Sequence, residues 1–440
     1  MNRAHQTVNS ATPTSACRPV TRSARIVALL LIVGLQSPLQ AQENTLGQSV
    51  DSLLEYAKGN NPEYAAMRYE ADAAGERITP AGALPDPKFR TELRDITRFG
   101  EQNATLSPSR VGSTKYLLSQ DLPWFGKRDL KREIAEFDAE GAQGRVRGTW
   151  VDLEARIKSA YARLYYVYRN EQLAREILEL MRRLERIAQV RYASGLAAQQ
   201  DVIRAQVEQT GMRNELIALE NERSQLRARM NALLARPALS KLAEPDRLRP
   251  LPAPAKLDYD ALEERVRSRN PQIFVEESRI RSAEKSRELT YRNRYPDFTI
   301  GAGPIQYQSA VKEWEVMLEL NIPLQQASRR AQERESESML SAARSRKEAA
   351  SNQILAELSE NLSGIEAARR SEMLATSSLL PQAELTFRTA LSGYENGKVD
   401  FATLLEAQKQ IRQAKLSQIK AQAEAQMRLA EIEKLLGEDL

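Results

Sequence analysis

The chain has 440 residues, with 64 Lys and Arg against 59 Asp and Glu, one His and one Cys. Residues 1–41 hold four of the arginines and no acid, so 60 bases face 59 acids beyond them, which argues against a nucleic-acid footprint. His5 and Cys17 also fall in that segment, so residues 42–440 cannot build a disulfide, a Ser-His or Cys-His nucleophile pair, or a His/Cys zinc site.

In chain order, Arg3, Arg18, Arg22 and Arg25 precede an apolar run over residues 26–35, and Leu39-Gln-Ala41 supplies a small-residue cleavage site. Residues 1–41 therefore read as a secretory signal peptide, too short for a membrane-spanning helix. Cys17 lies on the wrong side of the apolar run for lipidation, so no lipid anchor is expected.

The remainder is a duplication: residues 42–236 and 257–440, joined by a Pro-rich linker over 237–256 that is expected to be extended. Asn61-Pro62 returns as Asn270-Pro271, Pro85-Asp86 as Pro296-Asp297, and Leu122-Pro123 as Ile322-Pro323. Tyr192-Ala-Ser-Gly195 returns as Tyr394-Glu-Asn-Gly397, Ala205-Gln206 as Ala407-Gln408 and Leu233-Leu234 as Leu435-Leu436, all three at one offset. A solenoid repeat has a period of only about 20–50 residues. This is one copied half, each half a helix, a strand pair and a long helical hairpin.

The first strand pair is expected over residues 87–99 and 112–122 and the second over 297–308 and 313–322. Val316, Leu318, Leu320 and Ile322 alternate with Glu315, Met317, Glu319 and Asn321. Tyr116, Leu118 and Leu122 mark a similar face, while Arg90, Glu92 and Arg94 make the first strand unusually polar. Such strands fit a half-buried soluble sheet as well as a barrel with a wet lumen.

No Pro occurs between Pro123 and Pro237, and apolar residues recur there at steps of three and four. They run from Ile157, Leu164 and Val167 to Leu178 and Met181, then from Met212 and Leu219 to Leu226 and Met230, with Arg223 breaking the seam. Gly195 is the one plausible turn, giving a hairpin over about 127–236 with arms of about 60 and 40 residues, the longer about 90 Å at ~1.5 Å per residue. The second hairpin spans about 327–436, and Pro381 should kink it. Tyr161, Tyr165, Tyr166 and Tyr168 read as packing between helices.

Two considerations favour a barrel. Four strands cannot close one, since about eight are the practical minimum, and the helices are too long for a single globular core. Three copies would give one twelve-stranded barrel and one tube of twelve helices. The expected fold is mainly α with a membrane β-barrel.

These residues resemble the TolC-like outer membrane factors of Gram-negative bacteria. The resemblance rests on the duplicated halves, the two Asn-Pro pairs, Ala83-Leu-Pro-Asp-Pro87, the segment Gln120-Asp-Leu-Pro-Trp-Phe-Gly-Lys-Arg128, the two Tyr-x-x-Gly turns and Leu404-Leu-Glu-Ala-Gln408. The Leu-Pro-Trp-Phe-Gly-Lys version is similar to the CzcC-like branch, which serves heavy-metal efflux. The resemblance implies a homotrimer in the outer membrane whose helices form a periplasmic tunnel, a periplasmic adaptor at the tunnel tip and an inner-membrane resistance-nodulation-division pump. It implies no cofactor and no enzymatic activity.

By the same resemblance the tip gate falls to Glu406, Asp400, Asp201 and Arg204, and adaptor contact to Ser194, Gly195, Leu196, Asn396, Gly397 and Lys398. Asp201 and Asp400 also read as plain helix caps, and Gly195 and Gly397 as residues that simply let the chain reverse. Trp124 and Phe125 suit an interfacial aromatic anchor or core packing. Lys127 and Arg128 either meet lipid headgroups or cap the periplasmic end of the barrel. The rival readings are an outer membrane channel for drug efflux or type I protein secretion, and a periplasmic coiled-coil structural or adaptor protein.

Overall fold

The structure, a computed structural model, describes residues 46–440. The expected signal segment lies outside the described residues. Each half opens on short helices: α1 (Val50–Asn60), α2 (Pro62–Glu76) and α3 (Ile78–Gly82) before the strands β1 (Lys88–Arg94) and β2 (Ser113–Leu122). The first hairpin is α4 (Lys127–Ala193) and α5 (Gln199–Leu233). In the second half α6 (Tyr259–Arg269) and α7 (Pro271–Arg292) lead to β3 (Phe298–Tyr307) and β4 (Ala310–Leu320). The returning hairpin is α8 (Gln326–Leu374), α9 (Leu380–Glu395) and α10 (Phe401–Leu436).

The repeated Asn-Pro pair does the same work twice. Proline takes the first helical position, where its missing N–H is no loss, and the asparagine before it caps the helix. The Asn61 amide oxygen accepts from the Tyr64 N–H at 3.0 Å, and that of Asn270 from Gln272 and Ile273 at 2.9 and 3.1 Å. The amide nitrogens turn the other way: Asn61 donates to the Leu233 carbonyl and Asn270 to the Leu435 carbonyl, both at 2.8 Å. A helix leaves its last carbonyls without intrahelical partners. One side chain thus closes the end of the long return helix and the start of the short one.

Apolar burial follows the halves. Val50, Leu53 and Ala57 pack on Leu153, Ile157, Tyr161 and Met230. Leu262, Val266 and Ile273 pack on Ile354, Leu358, Leu429 and Ile432. Arg223 does not interrupt the seam: its guanidinium lies 2.9 Å from the carboxylate of Glu171, which is buried in α4. Pro381 is accommodated by a five-residue π-turn, Ala375–Leu379, just before it, the wider hydrogen-bonding ring absorbing the proline's missing donor. The linker lacks regular structure over residues 237–253 but lies against the helices. Tyr161 donates its hydroxyl to the Gln48 and Arg247 carbonyls at 2.8 and 3.1 Å, and Asn231 donates to those of Ala238 and Ser240.

The four strands form one antiparallel sheet in the order β1-β2-β3-β4, so the halves meet at β2 and β3. β1 ends earlier than expected because Asp95 turns to φ +54° and its carboxylate accepts the Phe99 N–H. β4 starts earlier, since only Gln308 and Ser309 separate it from β3. Register places Phe89, Leu118, Ala302 and Val316 in one row and Gln120, Ile300 and Leu318 in another. This face is apolar and bare, with Val316 at 84 % and Trp314 at 77 % exposed. The opposite face carries ion pairs, Lys88–Asp121 and Lys115–Glu315, both at 2.6 Å. The polarity of β1 now has its reason: Arg90, Glu92 and Arg94 all lie on that charged side. No helix among the described residues is long and apolar enough to cross a membrane.

Replacing either clamp with alanine, Asn61→Ala or Asn270→Ala, removes a cap and a carbonyl partner together. We expect each to lower unfolding stability by about 1–3 kcal/mol, read as an earlier denaturant midpoint, with amide exchange rising first at the C-terminal end of α5 or α10 respectively.

Candidate gate at the hairpin tips

Both hairpins reverse through the same device. Gly195 and Gly397 each sit at φ +71°, a left-handed conformation that favours glycine. The N–H groups of Gly195 and Leu196 return to the carbonyls of Tyr192 and Arg191 at 2.9 and 2.8 Å. Those of Gly397 and Lys398 return to Tyr394 and Gly393 at 3.0 and 2.8 Å, the paired pattern that seals a helix C-terminus. Ser194, Gly195, Leu196, Asn396, Gly397 and Lys398 are all exposed at the apices, Leu196 presenting bare apolar surface.

The two Asp candidates part company. Asp400 caps α10, its carboxylate accepting the Thr403 N–H at 2.9 Å and the Thr403 hydroxyl at 2.5 Å. The Thr403 hydroxyl, then its N–H, hold that carboxyl below its ordinary value, with a smaller contribution from the Arg204 charge. Asp201 is not the cap of α5, whose cap position is Ala198. Its carboxylate instead accepts the hydroxyl of Tyr394 at 3.2 Å, joining the first hairpin to the second. Arg204 is half-buried and Glu406 is exposed, and neither makes an ion pair among the described residues.

Tyr394 is the residue that sequence reasoning missed. It was visible only as the second Tyr-x-x-Gly marker, yet it is 3 % exposed while its counterpart Tyr192 is 48 % exposed. Its ring packs on Phe401 at 5.2 Å, and the Arg191 guanidinium lies 5.0 Å from the ring centre. Arg191 also donates to the carbonyls of Glu395 and Leu196, strapping both turns together. Burial, and then the Asp201 charge, push the Tyr394 phenol up to about 12. Farther from the tip, Lys409 meets Glu208 at 2.9 Å and Arg412 meets Glu215, so α5 and α10 are tied at successive levels.

At the other end, Asp297 joins the halves. It accepts the Trp124 N–H at 2.7 Å and the Lys127 ammonium at 2.8 Å. Lys127 is 5 % exposed and also donates to the Tyr295 carbonyl, so its charge is spent within the junction. Arg128 donates to the Gly82 carbonyl at 2.9 Å. Trp124 stacks on Tyr295 with centroids 5.1 Å apart, leaving Phe125, 73 % exposed, as the outward aromatic. Among the described residues no group of three or more His, Cys, Asp or Glu side chains could hold a metal ion.

Residues 53–236 and 262–438 match the family described as outer membrane efflux protein. The chain is 24 % identical over 414 residues to the cobalt-zinc-cadmium resistance protein CzcC of Cupriavidus metallidurans, covering 88 % of this chain and 90 % of that one. It is 25 % identical over 230 residues to the nickel-cobalt-cadmium resistance protein NccC of Alcaligenes xylosoxydans xylosoxydans, 51 % and 49 % of the two chains. Among solved structures, CusC superposes with a TM-score of 0.77 at 15 % identity, over 92 % of this chain and 95 % of that one.

Tyr394→Phe keeps the ring on Phe401 and loses the hydroxyl's bond to Asp201. Spin labels at Ser194 and Asn396 should then report a wider distance distribution than in the parent; an unchanged one removes this bond from the tip. The sign with pH follows from the raised phenol: the bond is fully present below the ordinary tyrosine value of about 10. It is lost as pH rises through about 12, which the same labels would record.

Proposed function

The chain belongs to the outer membrane efflux protein family, and on that premise we propose that three copies form a passive exit duct for heavy-metal cations. An inner-membrane resistance-nodulation-division pump delivers the ions through a periplasmic adaptor. The observation that carries this reading is the unclosed, two-faced sheet leading directly into paired long hairpins. A sheet in lipid must pair every backbone group and so must close. Three four-stranded sheets reach twelve strands, well above the practical minimum of about eight. The bare apolar face then meets acyl chains, the charged face lines a wet lumen, and Phe125 with the Trp124–Tyr295 stack lies at the headgroup level.

The hairpins extend the lumen into the periplasm, and the exposed turns at Gly195 and Gly397 offer the adaptor its contact. The tip is where a tube of helices is most easily shut. Threefold repetition brings the Glu406 and Asp400 carboxylates of three chains near one axis, which favours cations. A conduit needs weak sites so that ions leave again, and the lack of His and Cys after residue 41 suits that need. The metal class is supported by the similarity to a cobalt-zinc-cadmium and a nickel-cobalt-cadmium resistance protein.

In planar bilayers, Glu406→Gln combined with Asp400→Asn should lower cation preference; unchanged selectivity would take both residues out of the gate. In the native host, deletion should reduce tolerance to cobalt, zinc, cadmium or nickel. Sensitivity confined to organic drugs would redirect the substrate while leaving the duct intact.

A further inference from the structure

The sheet has two open edges. Among the described residues β1 pairs only with β2, and β4 only with β3. Strand directions alternate throughout, so β4 runs opposite to β1. Joining β4 of one copy to β1 of the next therefore continues the antiparallel pattern. What selects that partner and fixes its register can be read from the charges on the polar side of the two edges.

On β1 these charges are mostly positive and on β4 they are negative. Some already have partners within the chain: Lys88 lies on Asp121 and Glu315 on Lys115. Arg90 and Arg94 share a single carboxylate, Glu92, at 3.7 and 3.6 Å, beyond hydrogen-bond distance, and each side chain is 63 % exposed. On the opposite edge Glu319 has no ion-pair partner among the described residues, and Glu313 accepts only the Tyr307 hydroxyl at 3.1 Å. Two arginines are thus under-paired on one edge and two glutamates on the other.

Their positions along the strands correspond. Arg94 and Glu313 lie toward the loop end of the sheet, Arg90 and Glu319 nearer the helices. Four residues separate the arginines and six the glutamates, a mismatch that long side chains span because diagonal neighbours across a strand pair remain within reach. Any seam with the wrong parity would turn these charges onto the lipid face.

We propose that Arg94 and Arg90 of one copy pair with Glu313 and Glu319 of the next across the β4–β1 seam, and that these pairs select the seam's register. This rests on the barrel reading above and names the residues that close it. The partner is a second copy of this chain, and the ionic rows face the lumen. The seam is consequently sensitive to charge reversal on one edge and tolerant of reversal on both.

The test compares detergent-extracted full-length protein by light scattering after size exclusion. Arg90→Glu with Arg94→Glu, and separately Glu313→Arg with Glu319→Arg, should each lose the trimer. All four changes together should restore it. Retention of the trimer by the two double variants, or no recovery in the combined one, overturns the pairing while leaving the duct intact. A monomeric parent protein would instead overturn the barrel reading itself. Because residues 42–440 contain no Cys, Arg90→Cys can be combined in turn with Glu319→Cys and Met317→Cys. Oxidation should then give covalent dimers and trimers with one of the two pairs; their absence with both overturns the proposal even where the reversed chains fail to fold.

Discussion

Asn61 and Asn270 are the points from which each half is built. Both are nearly buried, at 6 % and 5 % exposure, and both use the two ends of one amide on two different helices. An unpaired buried polar group costs more than a hydrogen bond returns. Each asparagine therefore holds the end of a return helix of 35 or 36 residues to the start of a short one. With those ends joined, α1 and α6 can set their apolar faces against the hairpins only in one register.

Polar groups inside the helical seams then specify which helices meet. Lys158 and Glu433 are 5 % and 3 % exposed and lie 2.8 Å apart, joining α4 to α10. Arg249 of the linker reaches the same carboxylate at 2.7 Å, and Asp439 meets Lys158 from the C-terminal side. Burial pushes the nearby Glu154 carboxyl up. Buried ion pairs add little net stability over apolar packing, but removing one partner costs about 3–5 kcal/mol. Such a group tolerates few arrangements of its neighbours. Here it brings the linker, the C-terminus and both hairpins to one level, as the Glu171–Arg223 pair does for α4 and α5.

The sheet obeys a different constraint. Asp297 ties the exit of β2 to the entry of β3, and the halves pair there with their polar faces on the same side. Alternation alone leaves the environment of each face open, because a soluble half-buried sheet has the same pattern. What distinguishes this one is that its apolar side is bare, from Val316 and Leu318 to Leu320 and Ile322, and nothing within the described residues covers it. A side that is apolar, continuous and uncovered needs lipid or another protein.

The sequence by itself determined the duplication, the order of elements, the two hairpins and the alternating strands, because these are local: periodicity, Asn-Pro caps and Tyr-x-x-Gly turns act within a few residues. It could not decide which repeated residue would be buried. Tyr192 and Tyr394 occupy equivalent turns, yet only Tyr394 faces the other hairpin and receives Asp201 and Arg191. For Lys127 the sequence leaves a headgroup contact and a cap at the end of the barrel equally open, and the fold brings Asp297 of the other half beside it. Arg223 looked like an interruption until Glu171 stood opposite. In each case the partner lies tens to hundreds of residues away. A spacing rule reports the face on which a side chain lies; only the tertiary structure decides what meets it there.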